Sequence, residues 1–240
     1  MSMHNKWEAG RLVSYEQGYR KRWTNAIGPD VVEWELLVNE PEKSNALMRY
    51  NTVADSTGTV QNYGTAPYCV RADTHALANK SAGIQLATSP FKFEASMPLY
   101  FGIEFKLANA SSVGLNVGLF QNKSGDLLTS SGVVQSSIGG AYFISAKGAK
   151  TLTPTTATAS GAATSTTSTT SIGTSVMVLE MFWDPTVSSS GTLYYYANGT
   201  LLGTIAASIC SSKALAPGFT VQGNNKQMDV KWARCIQLRT

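Results

Sequence analysis

The sequence predicts an all-β protein built as an antiparallel sandwich, and three observations carry that prediction. First, Val176–Thr204 reads as three consecutive strands: the apolar run Val176–Trp183, then Thr192–Ala197, then Leu201–Ile205. Asn198-Gly199 between the last two supplies the two positive-φ residues that a type I′ hairpin turn demands. Second, Leu99–Leu107 alternates, with Phe101, Ile103, Phe105 and Leu107 on one side and Tyr100, Gly102, Glu104 and Lys106 on the other. That is the pattern of an antiparallel strand with one buried face. Third, no segment sustains a capped helical period; Gly, Thr and Val dominate instead.

Taken in order, residues 1–30 read as an arm outside the core. Leu12–Tyr15 suits a short strand, Glu16–Lys21 is polar and basic, and Gly28-Pro29-Asp30 breaks the chain. In Val31–Val38 the residues Val32, Trp34, Leu36 and Val38 share one face, and Glu33 and Glu35 share the other. Residues 39–67 are polar and rich in turn residues. Strand signals then recur at Tyr68–Ala72, Gly83–Ala87, Leu99–Leu107, Ser112–Gln121 and Ala141–Ala146. They continue at Val176–Trp183, Thr192–Ala197, Leu201–Ile205, Gly218–Gln222 and Asp229–Leu238. Residues 151–175 stand apart, because nearly every one is Thr, Ser, Ala or Gly. They read either as a flexible linker or as strand–loop–strand with a mobile middle; the second is preferred because Thr is a strong strand former.

At 240 residues, 43% hydrophobic and 14% charged, the chain suits one large sandwich with a sizeable core. No apolar run is long enough to cross a membrane as a helix, so no membrane partner is expected. The start, MSMHNKWEAGR, lacks the apolar core of a secretion signal. Cys69, Cys210 and Cys235 are odd in number and widely spaced, which reads as buried free thiols made in a reducing cytosol. The net charge of +4 is uneven. Lys6, Arg11, Arg20, Lys21 and Arg22 outweigh Glu8 and Glu16, leaving +3 within residues 1–22. Such an arm could dock on an acidic protein surface or on phosphate; it could equally be an ordinary solvated terminus.

Several segments taken together resemble a known group. They are the opening strand Val31–Leu37, Lys80–Leu86 (KSAGIQL), Pro98–Gln121 (PLYFGIEFKLANASSVGLNVGLFQ), Ala141–Ala146, Tyr194–Thr204 (YYYANGTLLGT) and the closing strand Asp229–Leu238. This set, covering Val31–Leu238, is similar to the concanavalin A-like (lectin/glucanase-type) jelly roll found in tailed-bacteriophage virion proteins. The resemblance implies a jelly-roll β-sandwich over residues 31–240, with an extended N-terminal arm at 1–30. It implies a structural protein, a capsid decoration (cement) protein on the virion exterior, made in the host bacterial cytoplasm. Its partner would be the major capsid protein, and a homo-oligomer, a trimer by family likeness, is expected. On that reading Lys6, Trp7, Arg11, Arg20, Lys21 and Arg22 are the capsid-binding residues. The alternative is a carbohydrate-binding adhesion protein of a phage tail or fibre, with Tyr194, Tyr195 and Tyr196 as the glycan- or protein-facing surface.

An enzyme is not expected. Glu180 and Asp184 lie ~13 Å apart on an extended strand at ~3.3 Å per residue, beyond the ~5–9.5 Å that glycosidase carboxyl pairs span. Phe182 also stands where the β-glucanase motif needs Asp. Glu33 and Glu35, ~7 Å apart by the same rise, read as a solvated strand face. His75 beside Asp73 reads as a surface turn, and Asp184 and Asp126 as turn residues. No metal-ligand cluster or cofactor motif is visible. Outside the arm the Lys and Arg are scattered, so nucleic-acid binding has no support.

Overall fold

The structure is a computed structural model. It describes residues 3–8, 11–16, 23–24, 31–36, 50–53, 58–62, 70–76, 79–94, 97–122, 127–158, 162–187, 191–206 and 213–238, with backbone only for 3–36 and for positions 51, 52 and 62. All regular elements among these residues are β-strands. They are β1 (Met3–Glu8), β2 (Arg11–Glu16), β3 (Trp23–Thr24), β4 (Val31–Leu36), β5 (Tyr50–Thr52), β6 (Thr59–Asn62), β7 (Val70–Asp73), β8 (Ser81–Leu86) and β9 (Leu99–Leu107). The rest are β10 (Gly114–Phe120), β11 (Gly140–Ser145), β12 (Thr153–Ala157), β13 (Ala163–Ser165), β14 (Met177–Asp184), β15 (Thr192–Ala197), β16 (Thr200–Ala206), β17 (Ala216–Gln222) and β18 (Gln227–Leu238).

Two antiparallel sheets make the sandwich. The seven-stranded sheet runs β13-β12-β11-β10-β17-β8-β5, and the eight-stranded sheet runs β16-β15-β14-β9-β18-β7-β6, with β4 also paired to β18. Alternation decides what lies between them. Phe101, Ile103, Phe105, Leu179, Met181 and Trp183 point inward from one sheet; Leu115, Val117, Phe143, Phe219 and Val221 do so from the other, and all are buried. A second cluster of Phe120, Leu127, Ile138 and Tyr142 sits on the far face of the seven-stranded sheet.

The Thr-rich stretch is built into the fold. β12 and β13 form the edge of the seven-stranded sheet, and Thr155 and Thr156 are buried. The Tyr195 hydroxyl crosses the core to donate to the Thr155 carbonyl at 3.0 Å. Tyr195 also meets Phe143 edge-to-face at 5.2 Å, so one ring ties the two sheets together.

The arm folds on itself. β1, β2 and β3 form a separate three-stranded sheet, with Trp7 opposite Leu12, Lys6 opposite Val13 and Glu8 opposite Arg11. No strand of the sandwich pairs with it among the described residues. Cys235 is a buried free thiol, its pKa pushed up by burial, while Cys69 and Cys210 lie outside the described residues.

Candidate functional site

The outward face of the eight-stranded sheet gathers an unusual set of side chains. Register aligns Tyr194, Phe182, Tyr100 and Ile236 in one row across β15, β14, β9 and β18. The next row holds Tyr196, Glu180, Gly102 and Arg234. Tyr100 donates its hydroxyl to Glu180 Oε1 at 3.1 Å. Phe182, Tyr100, Tyr196 and Glu180 are buried although they point away from the core, whereas Tyr194 and Arg234 are half-buried.

Trp232 enters this face through a β-bulge. Pairing between β18 and β9 shifts between Val230 and Trp232, so Lys231 and Trp232 together face the single residue Glu104. Each uses one of its carboxylate oxygens: Lys231 Nζ donates to Oε1 at 2.8 Å and Trp232 Nε1 to Oε2 at 2.8 Å. The half-buried indole then lies over Gly102. A Cβ there would fall 2.3 Å from the Tyr100 hydroxyl oxygen and 3.1 Å from the edge of the Trp232 ring, so glycine leaves the space both rings use.

Tyr194, Tyr195 and Tyr196 therefore part company. Tyr195 belongs to the core and offers nothing to a ligand, while Tyr194 and Tyr196 face outward and only Tyr194 keeps solvent access. Lys6 and Trp7 lie on β1 and Arg11 on β2, with their side chains not described; Arg20, Lys21 and Arg22 lie outside the described residues. Glu33 and Glu35 lie on β4, in register with Ile236 and Arg234.

Glu104, Glu180 and Asp184 are committed. Glu104 and Glu180 are diagonal neighbours on adjacent strands, about 7–8 Å apart, but both Glu104 oxygens are taken and Glu180 accepts from Tyr100. Asp184 caps its own turn, accepting from Thr186 N at 2.9 Å and Thr186 Oγ1 at 2.6 Å. Asp126 lies outside the described residues. His75 contacts Thr59 Oγ1 at 3.0 Å through Nε2, a hydroxyl–imidazole–carboxylate order on paper. Its Nδ1 is 3.7 Å from Asp73 Oδ1, however, and Asp73 already accepts from His75 N and Gln227 Nε2. The imidazole is therefore not oriented as a base. Among the described residues no three His, Cys, Asp or Glu side chains gather as a metal site.

No known family profile and no curated protein sequence matches the chain. Solved structures do match its shape. The carbohydrate recognition domain of Emp46p in its potassium-bound form superposes with TM-score 0.58 at 10% identity, over 83% of this chain and 93% of that one. Endo-1,3-beta-glucanase from Streptomyces sioyaensis gives 0.58 at 12% identity, over 90% and 100%. The fold is a concanavalin A-like jelly roll. Lectin II from Ulex europaeus adds TM-score 0.55 at 11% identity, over 86% of this chain and 98% of the lectin. At these identities the likeness of this concanavalin A-like chain is one of architecture, and its chemistry has to be argued from its own residues.

Proposed function

We propose that this protein is a non-catalytic carbohydrate-binding protein whose sugar-facing surface is centred on Trp232 and Tyr194. The observation that supports the reading is the half-buried indole of Trp232, fixed over Gly102 by its bond to Glu104 and flanked by Arg234. A rigid aromatic face beside ionic and hydrogen-bonding groups is what a sugar ring needs: its C–H face stacks, and its hydroxyls meet polar partners. The occupancy of Glu104 and Glu180 argues for binding without hydrolysis, and the lectin-like architecture is consistent with that role. Trp232→Ala is expected to weaken binding on a glycan array by about tenfold, the top of the ~0.5–1.5 kcal/mol range for aromatic contacts. Tyr194→Ala should weaken it less. Wild-type binding that neither substitution changes would overturn this surface, and release of reducing sugar from a bound polysaccharide would overturn the non-catalytic reading.

A second reading is favoured by the separate β1–β3 sheet: decoration of a phage capsid through the basic arm, with the major capsid protein as partner and an oligomer, a trimer by family likeness, as the unit. Lys6, Arg11, Arg20, Lys21 and Arg22 would supply the charge. Changing all five to Gln in the full-length protein is expected to abolish co-sedimentation with capsids while leaving the melting transition in place. Full occupancy by that variant would rule the arm out.

A further inference from the structure

The turn that closes the β15–β16 hairpin is the single Asn-Gly pair in the chain. Asn198 is exposed and left-handed, with φ 46°, and Gly199 follows at φ 84°. Asn198 also reaches across to β14. Its N donates to Val178 O at 2.8 Å, and Val178 N donates to its side-chain Oδ1 at 2.8 Å. In a regular antiparallel pair that second bond would go to a main-chain carbonyl. Here the backbone has already turned away, and the side-chain oxygen takes its place.

That bond sets up a reaction. The Asn198 amide carbon is an electrophile, and the N of the next residue is placed to close a five-membered ring on it. When Gly199 N attacks, negative charge develops on Oδ1, where the Val178 N–H already points. A donor preset at such an oxygen lowers the barrier. Gly199 has no Cβ to shield its N, and that N makes no hydrogen bond among the described residues. Two other exposed asparagines share the left-handed backbone. Asn79 has φ 63°, and its Oδ1 accepts from Lys147 Nζ, but the N that follows carries the side chain of Lys80 beside it. Asn225 has φ 51°, and the N that follows, of Lys226, is held by Thr74 Oγ1 at 2.9 Å.

We propose that Asn198 is a site of spontaneous deamidation, and that its conversion ages the outward face of the eight-stranded sheet. Gly199 N gives its proton to hydroxide and bonds to Asn198 Cγ. The Cγ–Nδ2 bond breaks, and the leaving nitrogen takes a proton from water and departs as ammonia. Water then opens the succinimide at either carbonyl, giving aspartate or isoaspartate. The net change is one water consumed and one ammonia released, with no oxidation or reduction. Isoaspartate adds a carbon to the main chain of a two-residue turn and pulls on Tyr196 and Ala197 behind it. Asn198 bonds Val178, Val178 lies opposite Glu104, and Glu104 holds Trp232. The new carboxylate therefore enters the row that carries the indole, two strand spacings or ~10 Å from Glu104. Loss of sugar binding with age rests on the carbohydrate reading above; the deamidation rests on the turn alone.

The test is storage of the full-length folded protein in mildly acid and mildly alkaline buffers. Samples are digested for peptide mass spectrometry and assayed for isoaspartate by enzymatic methyl transfer. Conversion at Asn198 is expected to rise with hydroxide. It should exceed that at Asn79 and Asn225 by roughly tenfold or more, a fraction of the ~10²–10³ that one preset oxyanion donor contributes in enzymes. Equal rates at the three positions, or none at Asn198, would overturn the site. Unfolding in urea frees Lys226 N and removes the Val178 donor, so the ratio of Asn198 to Asn225 conversion should fall. An unchanged ratio would place the reactivity in the dipeptide and overturn the role of the fold. Asn198→Gly keeps the turn and removes the reacting amide. Glycan binding by the wild type should decay in step with isoaspartate, and that of Asn198→Gly should not. Isoaspartate accumulation with undiminished binding would overturn the ageing of the surface. Absence of Trp232-dependent binding in fresh protein would overturn the carbohydrate reading, while conversion at Asn198 would still support the site.

Discussion

Gly191→Ala is expected to cost about 2–5 kcal/mol of stability, or to prevent folding, although it adds a single methyl group. Gly191 has φ 66°, a left-handed conformation that costs an L-residue roughly 1–2 kcal/mol. The added Cβ would also fall 1.6 Å from the Trp183 ring, which is 2% exposed and wedged against Phe93 at 5.5 Å. That ring cannot retreat, because its other side is the core, so overpacking adds a further ~1–3 kcal/mol. Urea denaturation followed by tryptophan fluorescence measures both the loss and any displacement of Trp183. Gly173→Ala is the control: its new Cβ would meet nothing within 4 Å, and its effect should lie within about 0.5 kcal/mol. Equal midpoints for the two variants would show that Trp183 does not depend on Gly191.

The second large effect is expected at Phe143→Ala, about 3–5 kcal/mol. Phe143 is fully buried on β11 and meets the Tyr195 ring edge-on, so truncation removes core volume and the partner of the ring that joins the sheets. Tyr195→Phe separates the two contributions. It keeps the ring pair but leaves the Thr155 carbonyl without its donor, which should cost about 1–3 kcal/mol. If Tyr195→Phe proved as damaging as Phe143→Ala, the hydrogen bond rather than the packing would be the main link between the layers.

Much of the scaffold was legible because strands obey parity. Leu99–Leu107 forms β9 and Thr192–Ala197 forms β15 with the boundaries the alternation predicts, and Asn198 and Gly199 take φ of 46° and 84° in the hairpin. β5 and β6 were hidden: Tyr50–Thr52 and Thr59–Asn62 sit in a polar, turn-rich stretch and owe their form to pairing with β8 and β7. Strand propensity could not reveal that. The face of each tyrosine in Tyr194–Tyr196 was also hidden, since an unbroken aromatic run has no polar phase to read. Trp232 was missed for a related reason. The bulge after Val230 breaks the alternation, turning two successive residues outward, and nothing local in DVKWARC marks where that slip falls.

The position of β18 sets a condition on how this molecule is made. Its twelve residues are the last strand among the described residues, yet they lie inside the eight-stranded sheet, between β9 on one side and β7 and β4 on the other. Until those residues leave the ribosome, β9 and β7 expose the edges that β18 will fill, and the core lacks the side chains of Val230, Ala233 and Cys235. The sandwich therefore closes only after β18 has emerged, while the hairpins β10–β11 and β14–β15 can pair before it. A nascent chain stalled before Gln227 would be the form most exposed to aggregation and most in need of a chaperone.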